Sequence, residues 1–201
     1  MNNKENMLEV ALDLFSKRGF SGVSVRDICG KLGLKESALY YHFKNKEAIL
    51  ETLYERVELL IESMRGAFDG TFANVNEVST VAMQMVAKGF LVNYYCDNNV
   101  RRLLAMLNIE RMSDPIANEK YRLLMYEMPL QQCENVFRKM VEKDIIVSDA
   151  PELLAKEYLG IIIIAYDRYV LGNEEIEKGI MKAAEDVQRE VGLFYEEIKN
   201  E

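Results

Sequence analysis

The 201-residue chain contains one histidine, three cysteines, three prolines and eleven glycines. A single histidine, His42, rules out the Glu-x-x-His pairs that a metal-carboxylate bundle sets on facing helices, and it leaves a catalytic imidazole without partners. Cys29, Cys96 and Cys133 are odd in number and widely spaced, which speaks against a disulfide frame or a zinc site and for buried free thiols in a reducing compartment. So few prolines and glycines permit long uninterrupted helices. The longest unbroken apolar run, Ile161 to Tyr166, falls far short of the roughly 20 residues a membrane span needs. Met1 to Asn6 is polar with no apolar run behind it, so no signal peptide is expected and the protein is expected in the cytoplasm. There is no glycine-rich phosphate loop, no Cys-His metal spacing and no nucleophile motif. An all-helical enzyme is thus a remote alternative, and neither a cofactor nor a metal is expected.

What is present is 49% hydrophobic and 29% charged residues, a composition that supports a sizeable core. The net charge of −8 is unevenly spread. Residues 1–50 hold eight Lys/Arg against six Asp/Glu, whereas the remainder holds 17 against 27. A mildly basic end on an acidic body fits local contact with phosphates at that end.

Helical periodicity runs through the chain. Leu8, Ala11, Leu12 and Phe15 give one apolar face to a first helix over about 3–18, stopped by Gly19. Ser24-Val25-Arg26-Asp27 is a capping-box pattern opening a second helix to about Leu32, and Gly33 supplies a turn. A third helix runs from about Lys35 to His42, with Leu34, Leu39 and Phe43 packing inward. Asn45 caps a long fourth helix from Lys46 to about Phe68. Residues 66–76, with Gly70, Asn74 and Asn76, read as a boundary loop. Further helices are predicted over about 77–95, 100–112, 115–143, 151–171 and 174–199, with Pro129 kinking or splitting the third of these.

Two short helices joined by a tight turn, the second with an exposed polar and aromatic face, make a helix-turn-helix that enters the DNA major groove. Ser24, Arg26 and Lys46 stand at helix N-termini, where free amides and the helix dipole favour a phosphate. Tyr41 offers its hydroxyl to a phosphate. Lys35, Glu36, Ser37 and Ala38 begin the third helix: Lys35 suits guanine, Glu36 suits cytosine N4, and the Ala38 methyl suits thymine. Tyr40 and His42 flank them. Packing for Tyr40, solvation for Lys35 and a purely helix-stabilising charge for Glu36 stand as alternatives.

The stretch ALDLFSKRGFSGVSVRDICGKLGLKESALYYHFKNKEAIL resembles the DNA-binding domain of the tetracycline-repressor (TetR) family. The resemblance rests on Phe-Ser-x-x-Gly-Phe, Ser-Val-Arg-Asp-Ile, Leu-Tyr-Tyr-His-Phe and Asn-Lys-Glu, over roughly Leu8 to Leu53. Ala38 stands where the family often has Thr or Ser, and Cys29 where it usually has Ala. The resemblance implies an all-α fold: an N-terminal three-helix helix-turn-helix domain (1–46), a connector helix (47–68), and a larger α-helical ligand-binding and dimerisation domain (69–201).

It also implies a homodimeric repressor of a palindromic double-stranded DNA operator, released by a small-molecule effector of unknown identity. Control by a protein partner, or action as an activator, are the alternatives. Met83, Phe90, Tyr94, Met106, Met125, Tyr126 and Tyr166 are candidates to line the effector pocket that the resemblance implies, since Met adapts its shape and Tyr adds a polar tip, with ordinary helical core as the alternative for each. Arg101, Arg102, Glu110 and Arg111 read as surface charges. The segment 151–171 is apolar nearly all round, so it is expected to be buried on both sides, and 174–199 is amphipathic. Tyr158, Gly160, Ile161, Ile164, Ile180, Val187 and Val191 are the candidates for the dimer seam, which the family builds from two helices of each subunit.

Overall fold

The computed structural model describes residues 3–73 and 77–199, with the backbone alone described over 64–73. Among the described residues ten α-helices and two π-helical turns follow one another, and the only strand-like pairing is an isolated antiparallel bridge between Ile146 and Lys199. The all-α expectation is met. The chain divides into two compact units, one of Met1–Ile61 with Asn98–Leu124, the other of Glu62–Asp97 with Met125–Glu201.

In the first unit α1 (Asn3–Arg18) buries Met7, Leu8, Ala11, Leu12, Leu14 and Phe15. Gly19 ends it in the left-handed region at φ +73°, its N–H donating to Phe15 O at 2.9 Å. α2 (Val25–Leu32) starts on the predicted capping box: Ser24 Oγ accepts from Asp27 N–H at 3.1 Å, and Ser24 N–H donates to Asp27 Oδ2 at 2.8 Å. Such a cap stabilises a helix by roughly 0.5–2 kcal/mol. Gly33, at φ +64°, closes α2, with Leu34 N–H donating to Cys29 O at 3.0 Å. α3 (Glu36–His42) follows at once, with Leu39 fully buried beneath it.

α4 (Lys46–Ala73) is opened by Asn45, whose Oδ1 accepts from Ala48 N–H at 2.9 Å. It continues through Gly66 and Gly70, five residues past the expected end, because a glycine weakens a helix by about 1 kcal/mol without breaking it. The expected breaks at Asn74 and Asn76 lie outside the described residues. α6 (Asn98–Glu110) and α7 (Pro115–Arg122) complete the unit, α6 packing against both α1 and α7.

The second unit holds α5 (Thr80–Phe90), α8 (Met128–Glu142), α9 (Pro151–Tyr169) and α10 (Ile176–Ile198). α10 packs on α5 and α9, and α8 packs on α9. The predicted helix at 77–95 starts late, where Ser79 Oγ accepts from Ala82 N–H at 3.1 Å, and finishes in a π-helical turn, Leu91–Tyr95. The predicted helix at 115–143 is split by a second π-helical turn, Leu123–Glu127, directly before Met128-Pro129, where proline's missing N–H interrupts the ladder. No helix among the described residues is long and apolar enough to cross a membrane.

Candidate nucleic-acid interface

The reading face is built on two buried anchors. Leu39 and Phe43, 0% and 4% exposed, fix α3 on its inner side, and Lys4 Nζ lies 5.5 Å from the Phe43 ring centre. Fixing those two positions turns Lys35, Glu36, Ser37, Tyr40 and Tyr41 outward, with Ala38 and His42 half-buried beside them. Tyr41 is 84% exposed, and its ring meets that of His42 edge-on at 4.9 Å. Lys35 is the N-cap of α3 and is exposed; its ammonium, a donor only, cannot cap the helix N–H groups.

The N-terminus of α2 is organised differently from its sequence. Ser24 spends both donors on Asp27: the hydroxyl lies 2.7 Å, and the N–H 2.8 Å, from Asp27 Oδ2. These bonds, with Arg18 3.5 Å away, hold the Asp27 carboxyl down at about 2. The donors left for a phosphate at this helix start are the N–H groups ahead of Asp27, those of Val25 and Arg26, and the exposed guanidinium of Arg26.

Lys46 reaches back from the start of α4. Its Nζ donates to Phe20 O and Val23 O, both at 2.8 Å, and sits 4.0 Å from the Phe20 ring centre. An ammonium has three donors, so one remains for a phosphate. Lys46 therefore ties α4 to the α1–α2 loop as well as standing at a helix N-terminus. Cys29 is 1% exposed and burial pushes its thiol up, which suits a small packing residue.

Three contacts here had no sequence signal. Glu110, at the end of α6, accepts from Ser21 N–H at 3.0 Å and Ser21 Oγ at 2.8 Å. Arg102, on the same helix, pairs with Glu9 of α1 at 2.6 Å, and Arg56 pairs with Glu5 at 2.7 Å. Glu110 and Arg102, read from sequence as surface charges, are thus bound to the helix-turn-helix. Their partners stand 89 and 93 positions away, and charge patterning along one helix gives no hint of such pairs.

In the second unit the structure brings together Phe90, Tyr94, Met125 and Tyr166 around Tyr95. Phe90 and Tyr94 stack at 5.6 Å, Tyr95 lies 5.2 Å from Tyr166, and Tyr95 Oη donates to Met125 O at 2.8 Å. Burial pushes the Tyr94 and Tyr95 phenols far up, so both stay neutral. Met83 is buried on α5. Tyr126 is 40% exposed, and Met106 is buried in the other unit. Among the described residues no His/Cys/Asp/Glu group has the makings of a metal site.

Of the seam candidates, Tyr158, Val187 and Val191 are buried within the chain itself, Tyr158 against Phe137 and Phe194. Leu153 and Ile164 of α9 and Met181 and Leu193 of α10 are each more than half exposed, with Gly160, Ile161 and Ile180 half-buried. A methyl group added at Gly160 would meet nothing within 4 Å.

A capped helix, a glycine turn and a short helix with an outward polar-aromatic face define a helix-turn-helix. Residues 7–53 match the family model described as bacterial regulatory proteins, tetR family. The tetracycline repressor protein class D of Escherichia coli is 40% identical over 58 residues, 29% of this chain and 26% of that protein. The chain thus spans about a quarter of the length of that curated relative. Two solved structures share the whole fold. A transcriptional regulator of the TerR/AcrR family from Aquifex aeolicus VF5 has a TM-score of 0.71 at 21% identity, covering 96% of this chain and 99% of that one. The SmeT–triclosan complex has a TM-score of 0.68 at 17% identity, covering 98% and 92%; SmeT represses a multidrug efflux pump in Stenotrophomonas maltophilia. Residues 7–53 are thus similar to the DNA-binding domain of the tetR family, and the chain shares the all-α fold of these solved regulators.

Proposed function

We propose that the protein is a homodimeric transcriptional repressor that binds a palindromic operator and leaves it when a small molecule occupies the second unit. The observation that carries this reading is α3 itself, anchored by Leu39 and Phe43 while Tyr41 projects 84% exposed beside Lys35, Ser37 and Tyr40. A large ring left in solvent on a helix so firmly held is suited to meeting another surface, and Lys35, Arg26 and Lys46 supply the positive charge that a phosphate backbone attracts.

The uncovered Leu153, Ile164, Met181 and Leu193, with open space at Gly160, support pairing of two copies through α9 and α10. A two-fold dimer would set its recognition helices in successive major grooves, roughly 34–36 Å apart. The aromatic interior around Tyr95, and the triclosan held by SmeT, support a small-molecule effector. To release DNA, such a molecule must bind the non-binding conformation more tightly than the binding one.

Selection of duplexes from a random DNA pool, at two salt concentrations and with Tyr41→Ala alongside, tests the proposal. The expected result is an enriched palindrome whose binding weakens with salt and with the substitution. A pool that stays random, or enrichment of a single half-site by a monomer, would overturn it.

A further inference from the structure

Tyr158 and Gln132 carry polar atoms that the fold buries and does not use. Tyr158 is 3% exposed, and neither its Oη nor the shielded Gln132 Nε2 has a hydrogen-bond partner among the described residues. They stand on α9 and α8, two helices packed directly against each other. A buried hydroxyl or amide without a partner costs stability, and native proteins keep few of them. Phenylalanine at 158 would fill the same space at no such cost, so the hydroxyl is retained for something other than packing.

The surroundings are aromatic and uncharged. Phe137 and Phe194 lie 5.5 and 6.5 Å from the Tyr158 ring, and Phe137 meets Phe194 at 6.0 Å. Cys133, next to Gln132 on α8, is a buried neutral thiol. Among the described residues no Asp, Glu, Lys, Arg or His is buried, so a charged molecule would find no counter-charge in this interior.

We infer that the second unit takes an uncharged aromatic carbonyl compound between α8 and α9, its oxygen accepting from Tyr158 Oη and Gln132 Nε2 and its rings lying against Phe137 and Phe194. The two groups share one capacity, donation to an acceptor oxygen, and flat aromatic walls favour a planar partner. This rests on the effector reading given above and adds the chemical class to it.

The test compares molecules of one shape with and without the oxygen: 9-fluorenone against fluorene, and benzophenone against diphenylmethane, by calorimetric titration of the full chain without DNA. In the wild type each ketone is expected to bind about tenfold tighter than its hydrocarbon. Tyr158→Phe and Gln132→Met should each collapse that ratio toward unity while leaving hydrocarbon affinity in place. Tyr158→Phe, having lost an unsatisfied hydroxyl, should melt no lower than the wild type, which also shows that it folds.

Equal affinity for ketone and hydrocarbon, binding of neither, an unchanged ratio in Tyr158→Phe, or tighter binding of 9-fluorenone-2-carboxylate than of 9-fluorenone would each overturn the inference. Because no operator enters the titration, these outcomes are separate from the DNA selection. A palindrome recovered alongside a failed titration leaves the regulator standing and removes only the ligand class.

Discussion

The carboxylate of Glu110 holds Ser21 at two points, the backbone N–H at 3.0 Å and the hydroxyl at 2.8 Å, across 89 positions of sequence. Ser21 belongs to the loop between α1 and α2, the same loop whose Phe20 and Val23 carbonyls receive Lys46. One acid and one base thus grip a short loop that sets the angle between the first two helices.

Removing the acid should loosen the loop without unfolding the chain. Glu110→Ala is expected to lower stability by about 1 kcal/mol, since the bonds are partly solvated. It should also raise hydrogen exchange at residues 20–24 and weaken operator binding several-fold. Unchanged exchange in that loop would show that the contact carries no constraint.

Lys46 and Arg26 should separate in their effects. Lys46→Met removes both carbonyl contacts and the charge over the Phe20 ring, so melting temperature and DNA affinity should fall together. Arg26→Ala should leave melting unchanged and weaken binding to every sequence alike, reducing the slope of log affinity against log salt by about 1. A full loss of stability in Arg26→Ala would contradict its exposed position.

The Ser24–Asp27 box makes an acid-range prediction. The Asp27 carboxyl is held down at about 2 by the hydrogen bonds from Ser24, while an unfolded aspartate titrates near ~3.9. The lower value is in the folded state, so the stabilisation is fully present above the unfolded value and is lost as pH falls toward the folded one. The difference in urea midpoint between wild type and Asp27→Asn should therefore be constant from pH 7 to about 5 and shrink below about 4. A difference that stays constant down to pH 3 would remove the assigned cause.

Ile164 and Val187 offer a contrast on the two seam helices. Ile164 is 65% exposed, whereas Val187 is 0% exposed. Ile164→Lys should give a folded monomer in sedimentation velocity, and Val187→Lys should fail to fold because it buries an unpaired charge. A dimer that persists in Ile164→Lys would place the pairing of copies elsewhere.

Most of the helix-turn-helix was legible because its signals are local. Ser24 to Asp27 spans one helical turn, Gly33 marks a left-handed residue, and Leu39 and Phe43 repeat at helical spacing. Val187 and Val191 show where such reasoning stops. Amphipathic spacing marks a residue that must be covered, and what covers these two is their own chain and not a second copy. The split before Met128 followed from Pro129, but the π-helical turn at Leu91–Tyr95 has no proline to announce it. Glu110 and Arg102 were invisible for a third reason: their partners are set by the docking of α6 on α1, which no window of sequence contains.

That docking bears on how such proteins exchange specificities. The unit that contains the helix-turn-helix is discontinuous, made of Met1–Ile61 and Asn98–Leu124. A chimera cut after Ile61 would leave α1 without α6, strand Glu9 and Ser21 without their partners, and join foreign side chains to a surface shaped for Leu103, Leu104 and Leu107. Inheritance of a new operator by recombination would need two crossovers around the intervening segment, or a host whose sixth helix already matches. The piece that transfers as a sequence is therefore smaller than the piece that functions as a body.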